Sequence, residues 1–234
     1  MWQGKKVTVI FPTYREKTSI KQAINDFWRR DYVDEVVVVN NNAEPGTDRE
    51  VKKTKARLIY ERRQGYGYAI KKGLSSTNAD LLIIAEPDGS FDGRDVVKLL
   101  VYSDDFDMVF GSRTHVPLVS KGSDMTFYKR IGDVLLGKLV TALFLCAPLT
   151  DLGCTLRVTT KKAWKRIGKH VKACDNIFAT EWVLWAAKTG VHFMEIPIHY
   201  KSRWGKSTAT DTFKKQIVWG LRKFFLIWNV WTIR

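Results

Sequence analysis

The sequence is short of cysteine, of acidic residues and of long apolar runs, and each shortage excludes something. Cys146, Cys154 and Cys174 are odd in number and lack metal-ligand spacing. They read as reduced thiols of a cytosolic protein, not as a disulfide framework or a zinc site. His115, His170, His192 and His199 show no ligand spacing either and read as structural. No apolar stretch reaches the roughly 18–20 residues of a membrane-spanning helix, so the chain is not expected to cross a bilayer. Met1-Trp2-Gln3-Gly4-Lys5-Lys6 runs straight into an apolar stretch, so no leader peptide is expected. Internal repeats and low-complexity linkers are also missing. At 234 residues that leaves one domain, or one domain with an appendage. Acids number 24 against 39 Lys and Arg, and the imbalance is local. Residues 161–234 hold 15 Lys and Arg against 4 acids, whereas residues 1–160 hold 24 against 20. The basic end should face something anionic: a phosphorylated substrate, a lipid surface or nucleic acid. Nine Trp and twelve Phe are a heavy aromatic load, and many fall in that same end.

What is present centres on residues 80–93. Leu81, Leu82, Ile83, Ile84 and Ala85 are apolar without alternation, as in a strand covered on both faces. Glu86-Pro87-Asp88-Gly89 ends it, because proline removes a backbone donor and glycine permits a tight turn. Two carboxylates one residue apart therefore stand at the carboxyl end of a buried strand, where open α/β sheets bind ligands. With the Ser90 hydroxyl they form a hard oxygen set suited to Mg²⁺ or Mn²⁺, and so to a diphosphate. Taken alone, the same turn also reads as an acidic cap of the next helix.

The remaining chain alternates strands and helices. Val7 to Phe11 and Glu35 to Val39 are β-branched runs, and Arg57 to Tyr60 is a short third strand. Helices are expected over about 17–30, after the Gly65-Tyr66-Gly67 turn, and over about 93–102; Asp107 to Gly111 is a further strand. Such alternation implies right-handed crossovers and a mostly parallel sheet flanked by helices, an α/β fold. The polar clusters at Glu16, Asn40 to Asn42 and Glu86 to Ser90 then fall on one rim. Beyond it, 131–147 reads as a helix apolar nearly all round, 179–189 as a helix and 191–200 as a strand. Residues 1–209 are expected to form the catalytic domain and 210–234 a C-terminal amphipathic helix. Its Trp and Phe face suits a membrane interface, with Lys214, Lys215, Arg222 and Lys223 toward an anionic leaflet. The alternative is that 131–147 and the C-terminal helix pack on the core or on a partner subunit.

Read together, six motifs in order resemble a family 2 glycosyltransferase of the GT-A (nucleotide-diphospho-sugar transferase) fold, most like the dolichyl- and polyprenyl-phosphate sugar synthases. Pro12-Thr13-Tyr14-Arg15-Glu16 is similar to the family's P-T-Y-N-E. Asn40-Asn41-Asn42 stands where the family has D-D-G, and Arg63 to Gly73 matches the glycine-rich helix start. Glu86-Pro87-Asp88 takes the place of the D-x-D metal motif and Gly111-Ser112-Arg113 that of G-S-R. Asp151-Leu152-Gly153-Cys154-Thr155-Leu156-Arg157 looks like D-x-x-S-G-F-R. The likeness covers residues 6–207. Two departures stand out: Asn40-Asn41 replaces an acidic pair, and the metal motif begins with Glu86.

The resemblance implies a GDP- or UDP-sugar donor, its nucleotide held by Pro12, Tyr14, Glu16, Asn40, Asn41, Gly65 and Gly67. Glu86, Asp88 and Ser90 would hold Mg²⁺ or Mn²⁺ on the diphosphate, and Arg203, Lys206 and Ser207 would close over it. For a polyprenyl phosphate acceptor, already ionised, Arg113 and Arg130 would position the phosphate, with Lys129 adjacent. For a sugar hydroxyl, Asp151 or Glu181 would take the proton; Glu181 also reads as a helix N-terminal charge. Arg157 belongs with the catalytic set by its motif. The implied reaction inverts the anomeric carbon at the cytosolic face of a membrane. A nucleic-acid-binding protein would explain the positive charge but not carboxylates at a strand end, and no nucleic-acid motif is present. A non-catalytic nucleotide-sugar sensor is the other alternative, because of Asn40-Asn41.

Overall fold

The apolar runs without alternation become the buried strands of one sheet. The structure, a computed structural model, describes residues 1–29, 31–204 and 212–233, with Phe213 described by its backbone alone. Strands β1 (Val7–Thr13), β2 (Glu35–Asn40), β3 (Arg57–Tyr60), β4 (Leu81–Ile84), β5 (Met108–Ser112), β6 (Arg157–Thr160) and β7 (Phe193–Pro197) form it. Their order is β3-β2-β1-β4-β6-β5-β7. All neighbours are parallel except β6, which runs antiparallel to both β4 and β5. Val37, Val39, Leu82 and Ile84 face one core layer, while Val36, Val38, Leu81 and Ile83 face the other. Both faces are covered, as a parallel sheet requires.

Helices α1 (Ile20–Trp28), α2 (Thr47–Lys52), α3 (Tyr66–Ser75), α4 (Asp95–Tyr102), α5 (Phe127–Phe144), α6 (Lys161–Ile167), α7 (Phe178–Lys188) and α8 (Phe213–Thr232) accompany the strands. α1 starts later than its periodicity suggests because Ser19 and Ile20 donate their N–H groups back to the Glu16 carbonyl. The short helices α2 and α6 are not apparent from periodicity; Thr160 caps α6 by accepting from the Ala163 N–H. α5 begins at Phe127, not near 131, because Thr126 is its N-cap. Its apolar surroundings are also uneven. Val140 is buried, whereas Phe127, Tyr128, Ile131 and Leu135 are exposed.

α8 packs against both α5 and α7. Ile227 and Val230 are buried in the same core layer as Trp182 and Leu184 of α7. Lys188, at the end of α7, donates to the carbonyls of Val230 (2.6 Å) and Trp231 (3.0 Å), which the end of α8 leaves without helical partners. The Trp231 indole N–H bonds the Leu143 carbonyl of α5 at 3.0 Å. The segment read as an appendage thus shares the core of residues 1–209, and only its outer face is apolar and exposed: Ile217, Leu221, Phe224, Phe225 and Trp228. Among the described residues no helix is long and apolar enough to cross a membrane.

If α8 is part of the core, truncating its inward side should be felt by the whole domain. Ile227→Ala is expected to lower the unfolding free energy by about 2–5 kcal/mol. A loss below about 0.5 kcal/mol by denaturant titration would mean that α8 docks only loosely.

Candidate active site

The carboxyl ends of β1, β2 and β4 open onto a cleft of about 890 Å³, closed on the far side by α5 and α8. The strand-end residues reach it as a parallel sheet delivers them. Pro12, Tyr14 and Glu16 line it after β1, Asn41 after β2, and Glu86 after β4. Glu16 shapes its own loop: one carboxylate oxygen accepts from the N–H groups of Tyr14 (2.7 Å) and Arg15 (2.9 Å) and from the Thr13 hydroxyl (3.1 Å).

Asn40 and Asn41 diverge, as neighbours on a strand must. Asn40 turns from the cleft and donates to Asp48 at the start of α2. Asn41 is buried at the rim, its amide donating to the carbonyls of Glu61 and Arg63, both at 2.8 Å. Its carbonyl accepts from the Gly65 N–H at 2.9 Å. An aspartate here would present acceptors to two carbonyls, which explains the departure from the acidic pair. The glycines pack against the protein's own chain. A β-carbon on Gly65 would stand 2.4 Å from the Cys174 carbonyl oxygen, and one on Gly67 would stand 2.5 Å from that of Ala173. Gly65 still lines the cleft, whereas Gly67 lies behind it.

The carboxylate pair is where the β4 strand end predicts. Asp88 is buried; one oxygen accepts from the Ser90 N–H at 2.9 Å and the other pairs with Arg203 at 2.9 Å. Glu86 faces the cleft. Burial first, then the neighbouring Asp88 charge, push its pKa up to about 7. Both are hard-oxygen groups, and Arg203 is the counter-charge of Asp88; among the described residues no cluster of three or more His, Cys, Asp or Glu gathers that could hold a metal ion. Ser90 is buried and meets Asp88 through its backbone, so its hydroxyl does not extend the ligand set into the cleft. Trp204 covers Gly89, and its N–H bonds the Asp88 carbonyl. Lys206 and Ser207 lie outside the described residues.

The other catalytic expectations divide sharply. Arg113 is buried and lines the cleft, its Nε and Nη2 donating to the two oxygens of Asp151 at 2.7 and 2.8 Å. Burial raises the Asp151 pKa, but the Arg113 guanidinium outweighs it and holds the carboxyl well below the usual range. Also fully enclosed, Asp151 is not a general base. Glu181 is not one either. It is buried and accepts from the N–H groups of Lys172 (2.9 Å) and Ala173 (2.6 Å), tying down the segment that meets the glycine turn. Arg157 is buried away from the cleft, donating to the carbonyls of Ala179 and Cys154 between the Phe110 and Trp182 rings. It braces the core and touches no substrate space. Arg130 does not line the cleft and lies 5.7 Å from the Phe127 ring; its neighbour Lys129 faces inward and is only 14% exposed.

Nothing in the sequence signalled the pairs of the far wall. Asp133 and Lys223 pair across α5 and α8 at 2.6 Å, and Arg222 pairs with Asp175 at 2.6 Å. Arg222 and Lys223 are therefore turned to the cleft and do not add to a membrane-facing charge. Their positions on an amphipathic helix carried no hint of partners so distant in the chain.

If the Asn41 amide holds the 61–65 turn, Asn41→Asp should lower stability by about 1–3 kcal/mol, the cost of leaving buried polar groups without partners. An unchanged denaturation midpoint would show that the turn does not depend on those two donors.

Residues 8–139 match the model of glycosyl transferase family 2. The low-salt glycan biosynthesis hexosyltransferase Agl6 of Haloferax volcanii is 27% identical over 208 residues, covering 86% of this chain and 49% of the relative. The chain thus spans about half the length of that protein. A dolichyl-phosphate hexose transferase of the same organism is 27% identical over 214 residues, covering 88% of this chain and 87% of its own. Among solved structures, glucosyl-3-phosphoglycerate synthase from Mycobacterium tuberculosis, in complex with Mn²⁺, UDP and phosphoglyceric acid, superposes with a TM-score of 0.75 at 13% identity, covering 99% of this chain and 80% of the other. That likeness supplies the fold, GT-A, and the family match supplies the rest: the chain belongs to the family 2 glycosyltransferases.

Proposed function

We propose that this chain transfers a hexose from a nucleoside diphosphate sugar to a polyprenyl phosphate at a membrane surface, with inversion at the anomeric carbon. The observation that carries the acceptor class is that, among the described residues lining the cleft, every acid but Glu86 is committed to an internal partner, beside cations able to hold a phosphate. Asp151 and Glu181 are committed to internal bonds. Asp124 pairs with Tyr200 and Lys129, Asp133 with Lys223, and Asp175 with Arg222. Glu86 is the exception, and it belongs to the diphosphate end of the cleft. A phosphate nucleophile is already ionised and needs positioning, not deprotonation. Arg113 and Lys129 supply it. The dolichyl-phosphate relative supports the same class.

Glu86 and Asp88 would hold Mg²⁺ or Mn²⁺ on the donor, where a cation offsets the charge developing on the leaving nucleotide. Arg203 stands beside them to take over the diphosphate. Pro12, Tyr14 and Glu16 form the nucleoside end with Asn41; UDP in the structural neighbour supports a uridine donor over a guanosine one. A second reading, a soluble phosphorylated acceptor, has the phosphoglyceric acid of that neighbour in its favour. Transfer to a sugar hydroxyl is disfavoured because both nominated bases are spent.

A screen of UDP- and GDP-hexoses against a short polyprenyl phosphate, 3-phosphoglycerate and oligosaccharides, read by mass spectrometry, tests this directly. The glycosylated prenyl phosphate is expected as the product, lost in excess chelator and in Asp88→Asn. Product on an oligosaccharide alone would overturn the acceptor class, and undiminished transfer in chelator would remove the metal.

The membrane part of the proposal rests on α5 and α8, which lie together and both turn apolar side chains outward: Phe127, Tyr128, Ile131 and Leu135 beside Leu221, Phe224, Phe225 and Trp228. Exposed Lys138, Lys214 and Lys215 would meet an anionic leaflet on the cytosolic side, each adding about 1 kcal/mol. The protein is expected to co-sediment with anionic liposomes, less so at high salt. Leu221→Glu with Phe225→Glu should abolish that without unfolding the chain, since both positions are exposed. Wild type left in the supernatant at low salt would refute interfacial binding.

A further inference from the structure

We infer that α8 completes a phosphate-monoester seat over Gly153, with Lys223 as its third cation beside Arg113 and Lys129; this rests on the acceptor class proposed above. Two cations meet over Gly153, and a third, from another element, lines the same cleft. Arg113 follows β5, Lys129 is in the first turn of α5, and Lys223 is midway along α8. All three line the cleft and are largely buried, with side chains 9%, 14% and 17% exposed. Arg113 Nη2 and Lys223 Nζ each come within 3.2 Å of the point where a side chain on Gly153 would begin. A side chain at residue 153 would press on both cationic groups, which would have to shift by a few tenths of an ångström to admit it. Burial, and then the charge of Arg113, lower the Lys129 pKa.

Like charges do not gather in a buried cleft without compensation. Each cation here has an acid of its own: Asp151 behind Arg113, Asp124 at 3.5 Å from Lys129, and Asp133 at 2.6 Å from Lys223. The acids hold the cations converged before any anion arrives. A purely structural Lys223–Asp133 pair would need neither the convergence over Gly153 nor a place in the cleft wall. The Asp133 Oδ2, buried and without a hydrogen-bond partner, also shows a pair not optimised for itself. A tetrahedral phosphate monoester, with three acceptor oxygens, matches three donors from three directions. The ligand chemistry is shared by a lipid phosphate and by free phosphate.

Calorimetry on the full chain separates the possibilities, with citronellyl phosphate, citronellol and inorganic phosphate as probes. Citronellyl phosphate should bind and citronellol should not. Lys223→Met should weaken the phosphate by about tenfold, the worth of one hydrogen bond to a charged group, while UDP affinity stays unchanged. Lys223→Arg should restore it. Asp133→Asn keeps the cation but loosens its hold, and should weaken the phosphate less than Lys223→Met; a merely structural pair would make the two equally harmful. Should Lys223→Met be unstable with Asp133 left unpaired, Lys223→Met with Asp133→Asn removes the orphaned charge and should show the same tenfold loss. Citronellyl phosphate bound equally by wild type and Lys223→Met would overturn the seat and leave the lipid acceptor standing. Inorganic phosphate bound through Lys223, with no gain from the prenyl chain, would keep the seat and overturn the lipid acceptor. Failure of wild type to bind either phosphate would overturn both.

Discussion

The buried pair between Arg113 and Asp151 is the constraint on which the β5 side of the cleft, the proposed acceptor side, depends. It joins the end of β5 to the turn before β6 through two side-chain hydrogen bonds, and a third runs from the Arg113 backbone N–H at 3.0 Å. The other Asp151 oxygen also accepts from the Gly153 N–H, so the same carboxylate sets the glycine floor of the cleft. A buried ion pair adds little net stability, because desolvation offsets most of the attraction. What it supplies is position: a guanidinium fixed in a bidentate fork cannot swing away. Thr150 extends the tie, its N–H and hydroxyl both donating to Glu195 of β7.

The same pair decides the chemistry available. An acid used to hold an arginine is no longer a base, and Glu181 is spent in the same way on two backbone N–H groups. The cleft thus has Glu86 at one end, beside the buried Asp88 with its Arg203 partner, and Arg113, Lys129 and Lys223, each with its own acid, at the other. In the proposed function the first end would take the diphosphate and the second the anionic nucleophile. α8 belongs to both core and site. Its inner residues Ile227 and Val230 fasten it, its middle lines the cleft and its outer face is apolar.

Most of the fold was readable because burial of a parallel strand is a local matter. Four valines in β2 or four aliphatics in β4 require cover on both faces whatever else the chain does. The short helices α2 and α6 were not readable, since six or seven residues carry too little periodicity. The positions of the rim residues were readable for the same reason as the strands: Glu16, Asn41, Glu86 and Asp88 stand within a few residues of a strand's end. Arg130 against Lys129 was not, because adjacent helical residues point about 100° apart and only packing says which one faces inward.

By itself the sequence determined the layered sheet, the rim on which its polar turns gather, and the pair of carboxylates at the end of β4. Those follow from side chains within a few positions of one another. Only the tertiary structure decided which charges remain available. Arg113 meets Asp151 across 38 positions and Lys223 meets Asp133 across 90. A charge reads the same in a sequence whether it faces solvent, substrate or a distant partner, and which it faces is settled when the helices close over the sheet.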